Sequence, residues 1–327
     1  MRRTLIRAAA LAAVVGAAVM AASAGAADDY PTRSVKILIP FSAGGTADTL
    51  GRIAAQKLSK ALGQEFVPEN KTGASGMIAA TEITRATPDG YTLFVSGVGG
   101  LIVATAISAN PPADAVTGYT HIAYFGGPPA VLVVNNDLPV KSLKEVVAYA
   151  KSNPGKLNYG SPSPGSLANL AFSLFQKEAG ITLQSVAYRG ASKAMVDLIG
   201  GHIAVTSTAL TSAAGTIAGG KVRPLAITSP KRVPAYPDIP TFAEQGFPNV
   251  IGTVWFALSG PKGMPADIVN KLNAEVIKGM REPDAKARLD HDNIDPTPMN
   301  PAEFAAFYKS ENAKWGTLAK EVIGKKK

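Results

Sequence analysis

Few of the residue types that carry chemistry occur here in a pattern that could use them. The three histidines His121, His202 and His291 lie far apart, none within H-E-x-x-H or beside a nucleophile, and there is no cysteine. Neither zinc chemistry nor a hydrolytic triad is spelled, and thiol chemistry is excluded. The phosphate loop G-x-x-x-x-G-K-[ST] and the nucleophile elbow G-x-S-x-G are absent. Gly97-Val98-Gly99-Gly100-Leu101-Ile102 lacks the third glycine of a dinucleotide fingerprint, so no cofactor is expected. What does recur is a loop of small residues: Ser42-Ala43-Gly44-Gly45-Thr46, Gly73-Ala74-Ser75-Gly76, Ser161-Pro162-Ser163-Pro164-Gly165 and Tyr188-Arg189-Gly190-Ala191-Ser192. Free N–H groups at the start of a helix, with the positive end of its dipole, attract an anion, and small side chains let a ligand reach the backbone. Read singly, each loop serves equally well as a helix cap with glycines for turn geometry.

The elements around these loops argue for more than caps. Val35 to Phe41 reads as a buried strand, Ser42 to Asp48 as a tight turn, and Thr49 to Leu62 as a helix closed by Gly63. A strand at Glu65 to Val67, the loop Asn70 to Gly76, a helix from Met77 to Arg85 and a strand from Tyr91 to Ser96 repeat the unit. Strands follow at Val131 to Val134, Leu157 to Gly160, Thr182 to Tyr188, Ile203 to Ser207, Arg223 to Thr228 and Thr253 to Leu258. Helices separate several of them, and capping boxes are read at Ser142-Leu143-Lys144-Glu145 and Thr241-Phe242-Ala243-Glu244. Pro230 to Pro240 is irregular, and the chain is helical from Pro265 onward. At 327 residues the alternation predicts two doubly wound α/β lobes with a ligand cleft between them. Ligands of such sheets bind outside the carboxyl ends of the strands, where the four loops fall.

The first residues are read as an export signal: Arg2, Arg3 and Arg7 precede the apolar run Ala8 to Met20, and small residues from Ala22 to Ala27 offer cleavage sites. The run is too short to span a bilayer. Residues 1–27 are therefore assigned to a signal peptide, and the mature chain to the periplasm. Losing the three arginines takes the formal charge from +9 to +6, still cationic, which suits an anionic ligand; nucleic acid is not expected outside the cytoplasm.

The mature chain resembles, along nearly its full length, the Bug-type periplasmic solute receptors of tripartite tricarboxylate transporters. The resemblance rests on Tyr30-Pro31-Thr32-Arg33, on Pro40-Phe41 leading to Gly44-Gly45-x-x-Asp48 and Arg52, and on Glu69-Asn70 leading to Gly73-Ala74-Ser75-Gly76. Pro88-Asp89-Gly90-Tyr91-Thr92-Leu93, the stretch Tyr149 to Tyr159, Tyr188-Arg189-Gly190, Pro240-Thr241-x-x-Glu244-x-Gly246 and Trp255 add to it. It implies a two-lobed clamp, with residues 28–127 and 252–327 as the first lobe and 128–251 as the second. It also implies a small organic carboxylate or dicarboxylate as ligand, integral membrane transporter subunits as partners, a monomer, and no catalysis. A ligand carboxylate would meet Ala43, Gly44, Gly45, Thr46, Asp48, Gly73, Ala74 and Ser75. Asp48 would contribute a backbone amide, a water contact or turn geometry, since its charge repels a carboxylate. The distal end would be read by Ser161, Tyr188, Arg189 and Ser207. The family commonly has Pro at positions 43 and 187, Asp near 208, Asn at 77 and His at 169, where this chain has Ala43, Ala187, Thr208, Met77 and Asn169. Without an acid near 208 to meet an ammonium, plain carboxylates are expected over amino acids. A sensing partner of a membrane histidine kinase shares the fold, and a periplasmic α/β hydrolase would share the cleft. Mass spectrometry of exported protein is expected to show a chain starting between Gly25 and Asp28; an intact Met1 would refute the export reading.

Overall fold

Strands rich in Val, Ile and Leu are buried on both faces, which is the signature of sheets covered by helices. The computed structural model describes residues 29–161, 165–188 and 190–324; the signal-peptide assignment therefore lies outside the described residues. The first sheet contains β1 (Val35–Ile39), β2 (Phe66–Asn70), β3 (Thr92–Gly97), β4 (Tyr119–Gly126) and β10 (Phe256–Pro261), in the order β2-β1-β3-β10-β4. The second contains β5 (Ala130–Val134), β6 (Asn158–Ser161), β7 (Gln184–Ala187), β8 (Val205–Ala209) and β9 (Arg223–Ile227), in the order β7-β6-β8-β5-β9. Helices α1 (Thr46–Leu62), α2 (Met77–Arg85) and α3 (Ala104–Ile107) belong to the connections of the first sheet. Helices α4 (Leu143–Ser152), α5 (Leu167–Ala179), α6 (Ala191–Ile199) and α7 (Leu210–Ala218) belong to those of the second. The chain ends in α8 (Ala266–Met280), α9 (Pro283–His291), α10 (Pro301–Glu311) and α11 (Thr317–Val322). The result is a two-lobed α/β fold, and no helix among the described residues is long and apolar enough to cross a membrane.

Both sheets are mixed. β1 runs parallel to β2 and β3, while β10 enters between β3 and β4 antiparallel to both. β6 is parallel to β7 and β8, while β5 is antiparallel to β8 and β9. β5 and β10 are the strands that receive the chain as it crosses between sheets. The two crossovers lie against each other: Pro129 and Thr253 form an antiparallel bridge, and the Val254 N–H donates to the Pro128 carbonyl at 2.8 Å. The contact is so close that a side chain on Gly127 would meet the Val254 carbonyl at 2.2 Å. The Thr228 hydroxyl closes this region, accepting from the Ala130 N–H at 2.9 Å and donating to the Gly252 carbonyl at 2.5 Å.

Several boundaries differ from the sequence expectation. α1 starts at Thr46, three residues early, because the Ser42 to Asp48 turn folds its last residues into the helix. β2 runs to Asn70 and shortens the loop that follows, while β10 starts at Phe256 because Thr253 is taken by the crossover bridge. β4 and the helical stretch Val98–Ile107 were not expected; continuous apolar runs carry no period that separates strand from helix. The Thr241 capping box forms in full. At Ser142 only half does, since Glu145 accepts from the Lys141 N–H rather than that of Ser142.

His121 is buried, stacked on Tyr308 with ring centroids 3.9 Å apart; its Nε2 faces the Val116 carbonyl at 3.1 Å and its Nδ1 has no partner. Burial pushes its pKa down to about 4 from 6.5, against the pull of the Val116 carbonyl. Between those values the unfolded chain binds a proton that the folded one does not, so stability is complete above pH 6.5 and falls as pH drops toward 4. A shift of this size is worth about 3 kcal/mol. Urea unfolding at pH 7 and pH 4 is expected to show that His121→Phe, which packs in the same ring cluster, removes most of that acid-side loss. Equal pH slopes for the two proteins would refute it.

Candidate functional site

The register of β1 and β2 sets the site. Ile39 stands opposite Asn70, so the loops that follow leave the sheet at the same end, and the Lys71 N–H donates to the Ile39 carbonyl at 2.8 Å. The first loop ends at Gly45, which caps α1 with extended backbone and no side chain. The amides of Thr46, Ala47 and Asp48 therefore open the helix without a side-chain acceptor. In the second loop Gly73, Ala74, Ser75 and Gly76 all have positive φ, at 130°, 46°, 56° and 95°. Two consecutive left-handed non-glycine residues cost on the order of 1–3 kcal/mol each and cluster where function requires them. The turn is held by the Gly76 N–H donating to the Gly73 carbonyl at 2.9 Å, and by Gly76 lying against Pro40 and Gly100. Successive amides in such a turn form a concave nest for an anion.

Asp48 organises the first loop. Its carboxylate, 4% exposed, accepts from the Gly44 N–H at 3.0 Å, from Arg52 Nε at 2.9 Å and from Asn70 Nδ2 at 2.8 Å. Asn70 also donates to the Phe41 carbonyl at 3.0 Å, and Arg52 returns to Asn70 Oδ1 at 2.9 Å. Burial alone would raise the Asp48 carboxyl, but the hydrogen bonds of Arg52, Gly44 and Asn70, with the Arg52 charge, hold it below its ordinary value. Its structural part is thus turn geometry, one of the roles expected of it, and the Gly44 amide is spent on holding the loop.

The two loops border a cavity of about 400 Å³. Gly45, Thr46, Gly73 and Ser75 line it. Ala43 and Gly44 sit on the exposed outer part of the first loop, and Ala74 turns into a neighbouring groove that shares Ser75. From the second lobe come Gly165, Ser166 and Leu167 at the start of α5. Ser166 caps that helix by accepting from the Asn169 N–H at 3.3 Å, and Asn169 Nδ2 donates to Ser161 Oγ at 3.0 Å.

The expected distal residues are placed differently. Ser161 is buried under Asn169, Ser207 is buried within β8 opposite Leu132, and the Tyr188 hydroxyl donates to Asp197 at 2.6 Å. None of the three lines the cavity, and Arg189 lies outside the described residues, as do residues 162–164. The rest of the lining comes from segments not assigned to a site from sequence: the stretch Val98–Ile107, whose Gly100 packs against the second loop, and the stretch 254–256. Their signals were a glycine-led apolar run after a strand and a single matching tryptophan. Trp255 is fixed from behind, its indole N–H donating to Glu311 at 2.7 Å while Trp315 donates to the same carboxylate at 3.0 Å. Burial raises the Glu311 carboxyl despite these donors.

No charged side chain lines the cavity among the described residues. A helix terminus supplies up to about 2 kcal/mol to a partly buried anion. Desolvating one ion costs several kcal/mol. The start of α1 and the Gly73–Gly76 nest together are therefore matched to one anionic group. A two-lobed α/β protein with an amide-bordered cavity between its sheets is a solute-binding receptor. The chain belongs to the tripartite tricarboxylate transporter receptor family, whose model matches residues 50–323. It is 31% identical to the protein BugT of Bordetella pertussis over 321 residues, 97% of this chain and 98% of that one. Among solved structures it is similar to Rpa4515 of R. palustris with adipate, at TM-score 0.79 and 33% identity over 89% of this chain and 98% of that one. It is also similar to MatC from Rhodopseudomonas palustris with bound malate, at TM-score 0.77 and 29% identity over 89% and 100%. The family is one of receptors, which removes the hydrolase alternative.

Gly45 has φ −86°, a backbone that a β-branched residue can adopt, and an added Cβ meets only the Ser42 carbonyl, at 3.7 Å. Gly45→Val is accordingly expected to fold with unchanged thermal stability while losing tenfold or more in ligand affinity by calorimetry. Asp48→Ala is expected to lose both, because it frees Gly44, Arg52 and Asn70 at once. A Gly45→Val protein that binds as tightly as the parent would remove α1 from the site.

Proposed function

We propose that the chain is an extracytoplasmic receptor that holds a small organic carboxylate and delivers it to the membrane subunits of a tripartite transporter. The observation that carries the reading is the convergence of two sets of amides, those of Thr46 to Asp48 at the start of α1 and those of Gly73 to Ser75 ahead of the bonded Gly76, on one cavity between the two sheets. An anion held by amides keeps no permanent counter-ion, so release requires only that the cavity open. The adipate and malate named for the two similar structures support a carboxylate as the ligand class.

The lobes are taken as residues 28–127 with 252–327, and 128–251, joined by the paired crossovers near residues 127 and 252. Closure is a rotation about that pair, which brings Gly165–Leu167 onto a ligand seated on the first lobe's loops. A ligand that touches both lobes only when they are shut shifts the population toward the closed form by that differential affinity. The export signal read in residues 1–27 supports a periplasmic site of action, and the protein acts as a monomer. Small-angle scattering at saturating ligand is expected to give a smaller radius of gyration than without it. An unchanged radius would count against the clamp.

A further inference from the structure

On the receptor reading above, the walls beyond the anchored carboxylate decide which acids fit. Phe41, Val103, Ile107, Leu167, Trp255 and Phe256 form them. Trp255 is fully buried behind this wall, and its indole N–H is committed to Glu311. Phe41 and Phe256 meet edge to face with centroids 6.1 Å apart. Among the described residues, the polar side chains nearest to meeting a second charge are committed elsewhere: Arg52 to Asp48 and Asn70, Tyr188 to Asp197, Ser161 to Asn169. The side-chain hydroxyls on the cavity wall belong to Ser42, Thr46, Thr72, Ser75 and Ser166, on the two loops and the α5 cap.

We infer that the ligand's body beyond its anchored carboxylate is apolar, so that this chain selects aliphatic or aromatic acids over hydroxylated polycarboxylates. A hydroxyl or second carboxylate placed against the apolar wall exchanges its water for nothing. An apolar pocket rejects one added hydroxyl by up to about 100-fold, and an added unpaired charge by more.

The test is calorimetric titration of the purified protein with hexanoate, benzoate, malate and citrate, hexanoate and citrate being matched in carbon number. Hexanoate or benzoate is expected to bind at least about tenfold tighter than either hydroxy acid. Phe41→Ala, which keeps the backbone carbonyl that Asn70 holds, is expected to weaken the preferred acid about tenfold; Ile107→Ser serves as a second variant should the first fail to fold by circular dichroism. Malate or citrate binding as tightly as hexanoate and benzoate, or tighter, would overturn the inference and leave the receptor reading standing. So would a preferred acid that both folded variants bind like the parent. Binding of none of the four overturns the inference and the carboxylate reading together.

Discussion

A buried carboxylate that faces inward governs this site. Asp48 could not serve as a ligand contact for an anion, yet it is the residue on which the first loop depends, because it gathers the Gly44 amide, Arg52 and Asn70 into one knot. The knot does two things at once. It spends the charge of Arg52, so the cation beside the cavity is neutralised before any ligand arrives. It also fixes the loop so that the amides of the first turn of α1 stay directed outward. Asn70 ends β2 and reaches Phe41 just beyond β1, so the sheet register itself places the knot. Charge-assisted hydrogen bonds are about twice as strong as neutral ones, and here they are used for shape.

The second loop solves the same problem by strain. Ala74 and Ser75 sit in left-handed backbone that their side chains disfavour, and Gly76, at φ 95°, leaves a side chain little room against Pro40 and Gly100. The two devices complement each other, since the loop with a buried charge is relaxed at Gly45 and the loop without one is strained.

The Gly-bearing loops and the alternating elements were legible because strand, turn and helix periods are local properties. The rest of the lining was not. Val98–Ile107 is an apolar run whose period does not distinguish core from cavity lining, and its place beside the second loop depends on β3 pairing with β1, a pairing between residues far apart in sequence. Ser161 and Ser207 fall near the cleft end of their strands by sequence order, yet their hydroxyl groups are buried away from it. Strand position fixes which end of the sheet a residue reaches and leaves open which face it takes.

The crossovers explain why the cavity wall and the hinge share residues. Trp255 lines the cavity, follows the bridged residue Thr253, and is tied through Glu311 to Trp315, whose ring lies against Gly252 and beside Leu167. Leu167 opens α5 in the second sheet's connections and Glu311 ends α10 of the C-terminal helices, so the two meet around the Trp315 ring. A further tie lies outside it, the Lys177 to Glu321 ion pair at 2.7 Å between α5 and α11. That pair is solvent-exposed and weak, worth about 1 kcal/mol or less, so it can yield as α5 moves. The buried Glu311 pair of indole bonds cannot yield as cheaply. Trp255, Glu311 and Trp315 all follow the second crossover, so their bonds hold the shape of the wall they form.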